Sequence, residues 1–566
     1  MAIDIAEDQP VPIYSLSRTA PPFFRPRMGS VTLAVTGALY LAAFTNRMFL
    51  TRAFAYFDSH LAFAAFILGL ACLFAALIVS LSLKYVLKPV LVFLFVSAAA
   101  GSWFMDRFGT IIDVDMIRNA VQTTSSEAGH LLTPAFVLHM AVFGILPSLL
   151  VCWVKIEHRP FFGKVLWNSA AIVPLLLVAL ACGMSSARSI ASVTRLHKDL
   201  MMTLNPFVPI GNAIGFAMAT GEDETVVVKS LGTDARVIAP TSSGRPRVVV
   251  IVVGETARAE NFSLGGYGRD TNPELARRDI TYFKETSSCG TATAVSVPCM
   301  FSNLTRRGYS HRAGLANENL LDVLGHAGVK AEWWDDNTGS KNVASRTAYH
   351  SFSDANDPRY CKDRECLDEG MIAALDGWLS TVKGDSVLVL HQMGSHGPAY
   401  SERYPTAFAR FKPECRNAEL GNCKTDEIVN AYDNTILYTD HILASVIDSL
   451  KAHQDVIAPA MIYMSDHGES LGEHGLYLHG APYVVAPSQQ THVPFVLWQG
   501  SELKTTTDPQ CLSSRAAAPA SHDNLFHTVL GMMSVRTSSY KPDLDVMASC
   551  RRVRDSSGVA SARADF

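Results

Sequence analysis

Two stretches of the sequence carry residues whose types and positions could support catalysis at a metal. Glu255 directly follows the apolar run VVVIVVG, and Asp466 and His467 directly follow the run AMIYMS. Carboxylate and imidazole groups are good zinc ligands, and three protein ligands with an open position are typical of a catalytic zinc site. Taken singly, a carboxylate after a strand is more often a helix cap or a surface charge. The prediction of a zinc site therefore depends on these residues meeting in the fold.

Thr293, within the run CGTATAVSVPC, is the candidate nucleophile. A threonine hydroxyl is weakly nucleophilic unless a metal or a base lowers its pKa. The polar start and the apolar continuation of this run predict that a helix begins near Thr293, where free N–H groups and the helix dipole favour a phosphate group. The alternative is that Thr291 and Thr293 only cap this helix.

From residue 247 onward, short apolar runs alternate with helical stretches, and these elements must position the candidate residues. This pattern predicts a mostly parallel sheet flanked by helices. The runs 248–255, 329–337, 386–397 and 460–470 each begin apolar and end in polar residues. Because ligands gather beyond the carboxyl ends of such strands, one edge of the sheet is expected to collect several candidate residues. These are Glu255, Asn337, His396, Asp466 and His467.

The N-terminal part of the chain has a different composition, dominated by long apolar runs. Five membrane spans are predicted near residues 29–46, 60–83, 88–105, 133–154 and 165–184. Each is long enough, at about 1.5 Å per residue, to cross a hydrocarbon core of about 30 Å. The predicted domains are a cytoplasmic segment 1–27, a five-helix transmembrane domain 28–190, an external linker 191–245 with interfacial helices, and an external α/β domain 246–566.

Basic residues and cysteines predict the same orientation. Three basic segments fall on one face of the predicted bundle, namely Arg25 and Arg27, Lys84 and Lys88, and Lys155, Arg159 and Lys164. Basic loops are cytoplasmic, so the large C-terminal part is expected outside the cytoplasm. The eight cysteines after residue 285 include three close pairs, which indicates disulfides in an oxidising compartment, with zinc–cysteine sites as the alternative. The net charge of −4 gives no indication of a basic surface that would bind nucleic acid.

Several long motifs occur together in this order: GETARAENFSLGGYGRDTNP, SSCGTATAVSVPCMFS, GSHGPAY, YDNTILYTD and SDHGESLGEHGLYLHGAPY. With them the chain resembles the lipid A phosphoethanolamine transferases, which include the mobile colistin-resistance enzymes and belong to the alkaline phosphatase and sulfatase superfamily. The resemblance implies a five-helix transmembrane domain in the bacterial inner membrane. It also implies a periplasmic α/β catalytic domain with a mostly parallel, sulfatase-like sheet.

The resemblance also implies roles for individual residues. It assigns Glu255, Thr293, Asp466 and His467 to the zinc site, with Thr293 as the covalently modified nucleophile. It assigns Asn337, Lys341, His396 and His479 to the phosphoethanolamine group or a second zinc, with Lys341 and the two histidines assisting catalysis. It places Asn119, Gln122 and Thr123 in an external loop that helps to bind lipid, although the segment 106–131 could equally be a simple interfacial helix. It implies the disulfides Cys289–Cys299, Cys361–Cys366 and Cys415–Cys423, which leaves Cys511 with Cys550.

The expected reaction is a transfer of phosphoethanolamine from phosphatidylethanolamine to a lipid A phosphate. Thr293, activated by one tightly bound Zn²⁺, would form a covalent phospho-threonine intermediate and release diacylglycerol; a second zinc during turnover is left open. The expected protein is a membrane-embedded monomer that makes lipid A less anionic and so confers polymyxin resistance. One alternative is a transferase of the same fold acting on core sugars, glucans or protein, or moving phosphoglycerol. Another is a hydrolase, and a third is a non-catalytic membrane receptor.

Overall fold

The computed structural model describes residues 25–123, 125–157, 159–223, 225–362, 365–554 and 560–561. The segment predicted as cytoplasmic, 1–27, lies outside the described residues except for 25–27. Long apolar helices occupy the first third of the chain, and a mixed α/β domain follows.

The apolar helices of the first third lie where the sequence predicts membrane spans. They are α1 (Ser30–Phe44), α2 (Arg47–Tyr56), α3 (His60–Ser80), α4 (Leu87–Phe108), α7 (Pro134–Trp153) and α8 (Phe161–Ser185). Between α4 and α7 lie two short helices, α5 (Val114–Gln122) and α6 (Ser125–Leu131). Among the described residues, α3, α4, α7 and α8 are each long and apolar enough to cross a membrane. The fold class of a helical membrane domain followed by an α/β domain is thus confirmed.

The first predicted span is broken into two helices and is not one continuous helix. The helix α1 has 15 residues and meets α2 at an angle of 66°, so only the bent pair together is long enough to count as a fifth span. Asn46 lies at the break and donates hydrogen bonds to the carbonyls of Leu41 (2.9 Å) and Asn205 (2.7 Å). Its Oδ1 atom accepts the N–H of Asn205 at 2.9 Å. These bonds replace the helical pattern at this point, and local apolar length could not reveal them.

The catalytic domain is built on a seven-stranded sheet. Its strands are β1 (Arg247–Gly254), β2 (Ile280–Phe283), β3 (Lys330–Asp335), β4 (Ala348–Ser351), β5 (Ser386–His391), β6 (Ala458–Ser465) and β7 (Phe495–Gln499). The order across the described sheet is β2-β7-β6-β1-β5-β3-β4. The strands from β6 to β4 are parallel to their neighbours, and β7 and β2 pair antiparallel at one edge. The predicted mostly parallel sheet is confirmed.

Both faces of this sheet are covered, which explains the uninterrupted valine run of β1. Val249, Ile251 and Val253 belong to one buried cluster, whereas Val248 and Val252 belong to the cluster on the opposite face. The principal helices of the domain are α11 (Thr293–Met300), α12 (Leu320–His326), α13 (Glu369–Leu379), α14 (Thr425–Ala452), α15 (Pro509–Ala516) and α16 (Asp523–Met532). Within the described part of the chain, the disulfides are Cys289–Cys299, Cys361–Cys366, Cys415–Cys423 and Cys511–Cys550, as expected.

The two halves of the chain are connected by α9 (Ala187–Leu196) and α10 (Phe207–Asp223) and contact each other directly. Pro209 does not break α10, because it lies in the first turn, where a backbone N–H has no partner within the helix. The helix α5 packs against both α10 and α11. Gly109, which ends α4 with a φ of +70°, would bring a Cβ atom within 2.7 Å of the Gly475 carbonyl oxygen. The end of a membrane helix therefore touches the loop that follows β6.

Candidate active site

Adjacent parallel strands bring three candidate ligands to one edge of the sheet. Glu255 follows β1, and Asp466 and His467 follow β6; the two strands pair with Ser465 opposite Gly254. The Asp466 N–H donates to the Gly254 carbonyl at 2.9 Å, which extends the pairing by one residue. The convergence predicted from the strand ends is therefore present.

Thr293 faces these three residues from the first position of α11. Its Oγ1 atom lies 3.2 Å from each carboxylate oxygen of Glu255 and 3.3 Å from Nε2 of His467. The hydroxyl is buried, and α11 begins at this residue, as the sequence predicts. The N-terminal N–H groups of the helix and the hydroxyl thus face the same edge of the sheet, an arrangement suited to a phosphate group.

The donor set fits a zinc ion. Glu255, Asp466 and His467 are fully buried, and each offers one ligand atom within 4.8 Å of the other two. Oδ1 of Asp466 accepts the N–H groups of Thr256 (3.2 Å) and His467 (2.7 Å), whereas its buried Oδ2 has no hydrogen-bond partner among the described residues. Burial raises the pKa of Asp466 to about 6. Two carboxylates buried together require a compensating cation, and oxygen and nitrogen donors of this kind suit zinc.

Neighbouring groups fix the orientation of these side chains. The Asn337 side-chain amide donates to Oε2 of Glu255 at 2.7 Å and to the Gln392 carbonyl at 2.8 Å. Nδ1 of His467 lies 2.9 Å from the Gly468 carbonyl, so this nitrogen carries the proton and Nε2 keeps its lone pair directed at Thr293. Burial lowers the pKa of His467 well below its ordinary value, which keeps the ring neutral. Such outer hydrogen bonds commonly tune metal affinity.

The backbone around Glu255 is conformationally strained. Thr256 has a φ of +52°, which is unfavourable for a β-branched residue. Gly394, with a φ of +53°, lies so close that a Cβ atom would be 2.9 Å from the Glu255 carbonyl oxygen. Strained residues of this kind cluster at functional sites.

Two further histidines extend the site away from Thr293. The ring of His479 lies 4.4 Å from that of His467 and 5.4 Å from that of His396. Nδ1 of His479 is 3.3 Å from the buried carboxylate of Glu469. Burial, reinforced by His479, lowers the pKa of His396 well below its ordinary value. These three imidazoles lie next to one another in space and could hold a phosphate group and move protons.

Other predicted residues lie in less direct positions. Asn337 faces Glu255, so its side chain orients a ligand. Nζ of Lys341 donates to the Thr338 carbonyl at 2.8 Å, and the residue has a φ of +50°. Asn119 and Thr123 lie at the end of α5, where the Thr123 hydroxyl donates to the Asn119 carbonyl at 3.0 Å. Oε1 of Gln122 is buried and has no hydrogen-bond partner among the described residues.

A cavity of about 440 Å³ opens beside Thr291 and Ala292, between the catalytic domain and α5. Met116 and Arg118 of α5 line it, whereas Asn119, Gln122 and Thr123 are not among its lining residues. Arg306, whose guanidinium lies 3.1 Å from the centre of the Tyr483 ring, lines it from the catalytic domain. These residues were missed by the sequence reasoning. The signal available for Met116 and Arg118 was the amphipathic pattern of α5.

Comparison with known proteins supports the family resemblance that the sequence motifs indicate. Residues 247–535 match the family described as Sulfatase, and residues 70–220 match the family described as Phosphoethanolamine transferase EptA/EptB. The chain is 39% identical to phosphoethanolamine transferase EptA of Salmonella typhimurium over 82% of this chain and 85% of that protein. It is also 39% identical to phosphatidylethanolamine transferase Mcr-2 of Escherichia coli, over 89% and 95% of the two chains.

The fold of the whole chain is likewise similar to a solved structure. The integral membrane protein lipooligosaccharide phosphoethanolamine transferase A from Neisseria meningitidis matches with a TM-score of 0.89 and 35% identity, over 93% of this chain and 100% of that chain. Both the membrane helices and the catalytic domain are included in this match. The chain therefore belongs to the lipid A phosphoethanolamine transferases of the EptA and Mcr type, within the sulfatase superfamily, and it is a phosphoethanolamine transferase.

Proposed function

We propose that this enzyme moves phosphoethanolamine from phosphatidylethanolamine to a phosphate group of lipid A, with Thr293 as the covalent carrier. The observation that carries the proposal is the buried Thr293 hydroxyl, which lies within 3.3 Å of Glu255 and His467 at a helix N-terminus. Membership of an enzyme family leaves the non-catalytic receptor without support. The lipid A acceptor is supported by the similarity to EptA and Mcr proteins.

Zinc is the proposed cofactor, and Glu255, Asp466 and His467 would hold it beside the hydroxyl of Thr293. When bound there, it would lower the pKa of the Thr293 hydroxyl and offset the negative charge that develops on the phosphoryl group. Asn337 and the Gly468 carbonyl hold Glu255 and His467 in position for this role. The binding of a second zinc near His396 and His479 during turnover is a separate proposal.

The first half of the reaction forms one bond and breaks another. Oγ1 of Thr293 attacks the phosphorus of phosphatidylethanolamine, and the bond from phosphorus to the diacylglycerol oxygen breaks. The leaving oxygen needs a proton, which His479 or His396 can donate because the anionic phosphate favours their protonated form. The proton that Thr293 loses returns to the imidazoles and replaces the one that they donated, so diacylglycerol departs as an alcohol.

The second half of the reaction restores the enzyme. An oxygen of a lipid A phosphate attacks the phosphorus of phospho-Thr293, and the bond from phosphorus to Oγ1 breaks. The attacking lipid A phosphate gives up its proton to the imidazoles, which return a proton to Oγ1 of Thr293. The product gains an amine, so the lipid A surface becomes less anionic and binds cationic peptides such as polymyxin less strongly.

The acceptor is tested by mass spectrometry of lipid A from cells that express the protein or its Thr293→Ala variant. Lipid A should gain phosphoethanolamine only with the unaltered protein. Modification of core sugars, glucans or protein, with lipid A unchanged, would identify another acceptor. Free phosphoethanolamine without any modified acceptor would indicate a hydrolase.

We also propose that the catalytic domain faces the periplasm from the bacterial inner membrane, as the basic loops and the disulfides indicate. A phosphatase reporter fused after the last residue should be active, because such a reporter folds only outside the cytoplasm. The same reporter fused after Lys84, between the second and third predicted spans, should be inactive. The reverse pattern would contradict the orientation.

A further inference from the structure

A hydrogen bond joins the membrane domain to the catalytic domain at a point away from the candidate zinc site. Nε2 of His130, in α6, lies 2.9 Å from Oε1 of Glu365 in the catalytic domain. The two side chains are 23% and 15% exposed, so the contact is largely shielded from solvent. Glu402 contributes a second carboxylate 3.9 Å from the same nitrogen. The pair connects residues that are distant in the sequence and lie in different domains.

Glu365 is connected in turn to the candidate active site. Its Oε2 atom accepts a hydrogen bond from Nη1 of Arg403 at 2.9 Å, and the Arg403 side chain is 2% exposed. Nε of Arg403 donates to the carbonyl of His396 at 2.9 Å. Arg403 thereby links the carboxylate that holds α6 to the backbone of a histidine in the site. A change at His130 can thus alter the position of His396 through two intervening side chains.

The segment that carries Glu365 is held by a covalent bond. Cys361–Lys362 and Glu365–Cys366 form a short antiparallel pair, and the disulfide Cys361–Cys366 closes it. A closed loop of this size allows Glu365 few positions, so the carboxylate is preorganised for His130. The contact between Gly109 and Gly475 joins the same two domains at a second point.

A metal ion is the competing interpretation of His130, Glu365 and Glu402, because their ligand atoms are close enough to share one. The surroundings of Glu365 and Glu402 favour the hydrogen bond instead. Arg403 already neutralises Glu365, and the Glu402 side chain is 55% exposed. A cation would have to compete with a buried guanidinium for the same carboxylate.

We propose that His130, Glu365 and Arg403 form an interdomain latch, which docks α6 on the catalytic domain and positions His396 for phosphoethanolamine transfer. These three are positioning residues, because they act through His396 and not on the reacting atoms. The effect on turnover rests on the proposed function, whereas the docking contact itself does not.

The latch is tested with the full chain in vesicles of phosphatidylethanolamine and phosphatidylcholine. His130→Ala should increase hydrogen exchange of the amides of residues 125–131 by about fivefold, the effect expected for loss of one partly buried hydrogen bond. It should lower kcat for Thr293 modification by a similar factor and leave KM unchanged. His130→Lys, which keeps a hydrogen-bond donor opposite Glu365, should recover most of kcat.

The matched control is His326→Ala, which removes a comparable pair within the catalytic domain, where Nε2 of His326 lies 2.8 Å from Oε2 of Glu318. It should change neither measurement. An unchanged kcat in His130→Ala would overturn the positioning role, and unchanged exchange would overturn the docking contact. If the unaltered protein does not modify Thr293, the proposed function fails, yet the exchange comparison still decides whether the latch exists.

Discussion

At the scale of single residues, the site depends on how each ligand is held. Glu255 is buried, its neighbour Thr256 has a strained positive φ, and the Glu255 carboxylate accepts a hydrogen bond from Asn337. Asp466 uses one oxygen for backbone N–H groups and leaves the other directed at the site. His467 presents a neutral nitrogen. These details divide the residues into ligands and the groups that orient them.

Replacing Asn337 with alanine tests this division. The change removes the Asn337 hydrogen bond to Oε2 of Glu255 and should weaken zinc binding by about 10- to 100-fold, the usual effect of removing an outer hydrogen bond at a metal site. Zinc content after dialysis against a competing chelator measures the change. Asn422→Ala is the control, since it breaks an exposed Asn–Glu hydrogen bond of 3.0 Å to Glu419. Equal zinc content in both variants would show that Asn337 does not orient Glu255.

His522 provides a prediction for the pH dependence of stability. Burial lowers its pKa to about 4, while Nδ1 accepts the Cys289 N–H at 3.1 Å and Nε2 donates to the Ser465 carbonyl at 2.9 Å. Between about pH 6.5 and 4 the unfolded chain binds a proton here that the folded protein does not. The contribution of neutral His522 to the free energy of unfolding is therefore fully present above about pH 6.5 and is lost as the pH falls towards about 4.

The matching experiment compares thermal unfolding of the unaltered protein with that of His522→Gln at pH 7.5 and pH 4.5. Glutamine can keep both hydrogen bonds but does not titrate, so its loss of stability on acidification should be smaller by about 1–3 kcal/mol. Parallel loss in the two proteins would show that His522 does not contribute to the acid sensitivity.

At the scale of elements, the turn after β5 packs against the turn after β1 and limits the position of its main chain. Gly394 needs its positive φ, and the absence of a side chain lets it lie against the main chain of Glu255. The parallel sheet brings the two turns together, but the clearance between them is set by this one glycine. The helix α11 completes the arrangement by presenting Thr293 from its first position.

Gly394→Ala should therefore disturb zinc binding through Glu255. The new Cβ would lie 2.9 Å from the Glu255 carbonyl oxygen, so the ligand must shift. Gly244→Ala is the control, because Gly244 also has a positive φ, +75°, but has open space around it. Both variants should lose about 1 kcal/mol of stability from backbone strain. Only Gly394→Ala should lose zinc; zinc retained by Gly394→Ala would contradict the proposed clearance.

At the scale of the whole molecule, the sequence predicted what depends on local patterns. Apolar length located the membrane helices, and the strand ends located Glu255, Asp466 and His467, because parallel strands share one carboxyl edge. The break at Asn46 was not predictable, since it depends on Asn205, far along the chain. The latch of His130 and Glu365 was missed for the same reason. Asn337 was predicted at the correct edge, but its contact with Glu255 required side-chain geometry.

The most direct test of Thr293 as the covalent carrier is peptide mass mapping of the full chain after incubation with phosphatidylethanolamine and zinc in the absence of acceptor. We expect one phosphoethanolamine adduct, on Thr293, together with an equal amount of released diacylglycerol. Thr293→Ala should give neither product. An adduct on a different residue, or diacylglycerol released at the normal rate by Thr293→Ala, would contradict the assignment of Thr293 as the covalent carrier.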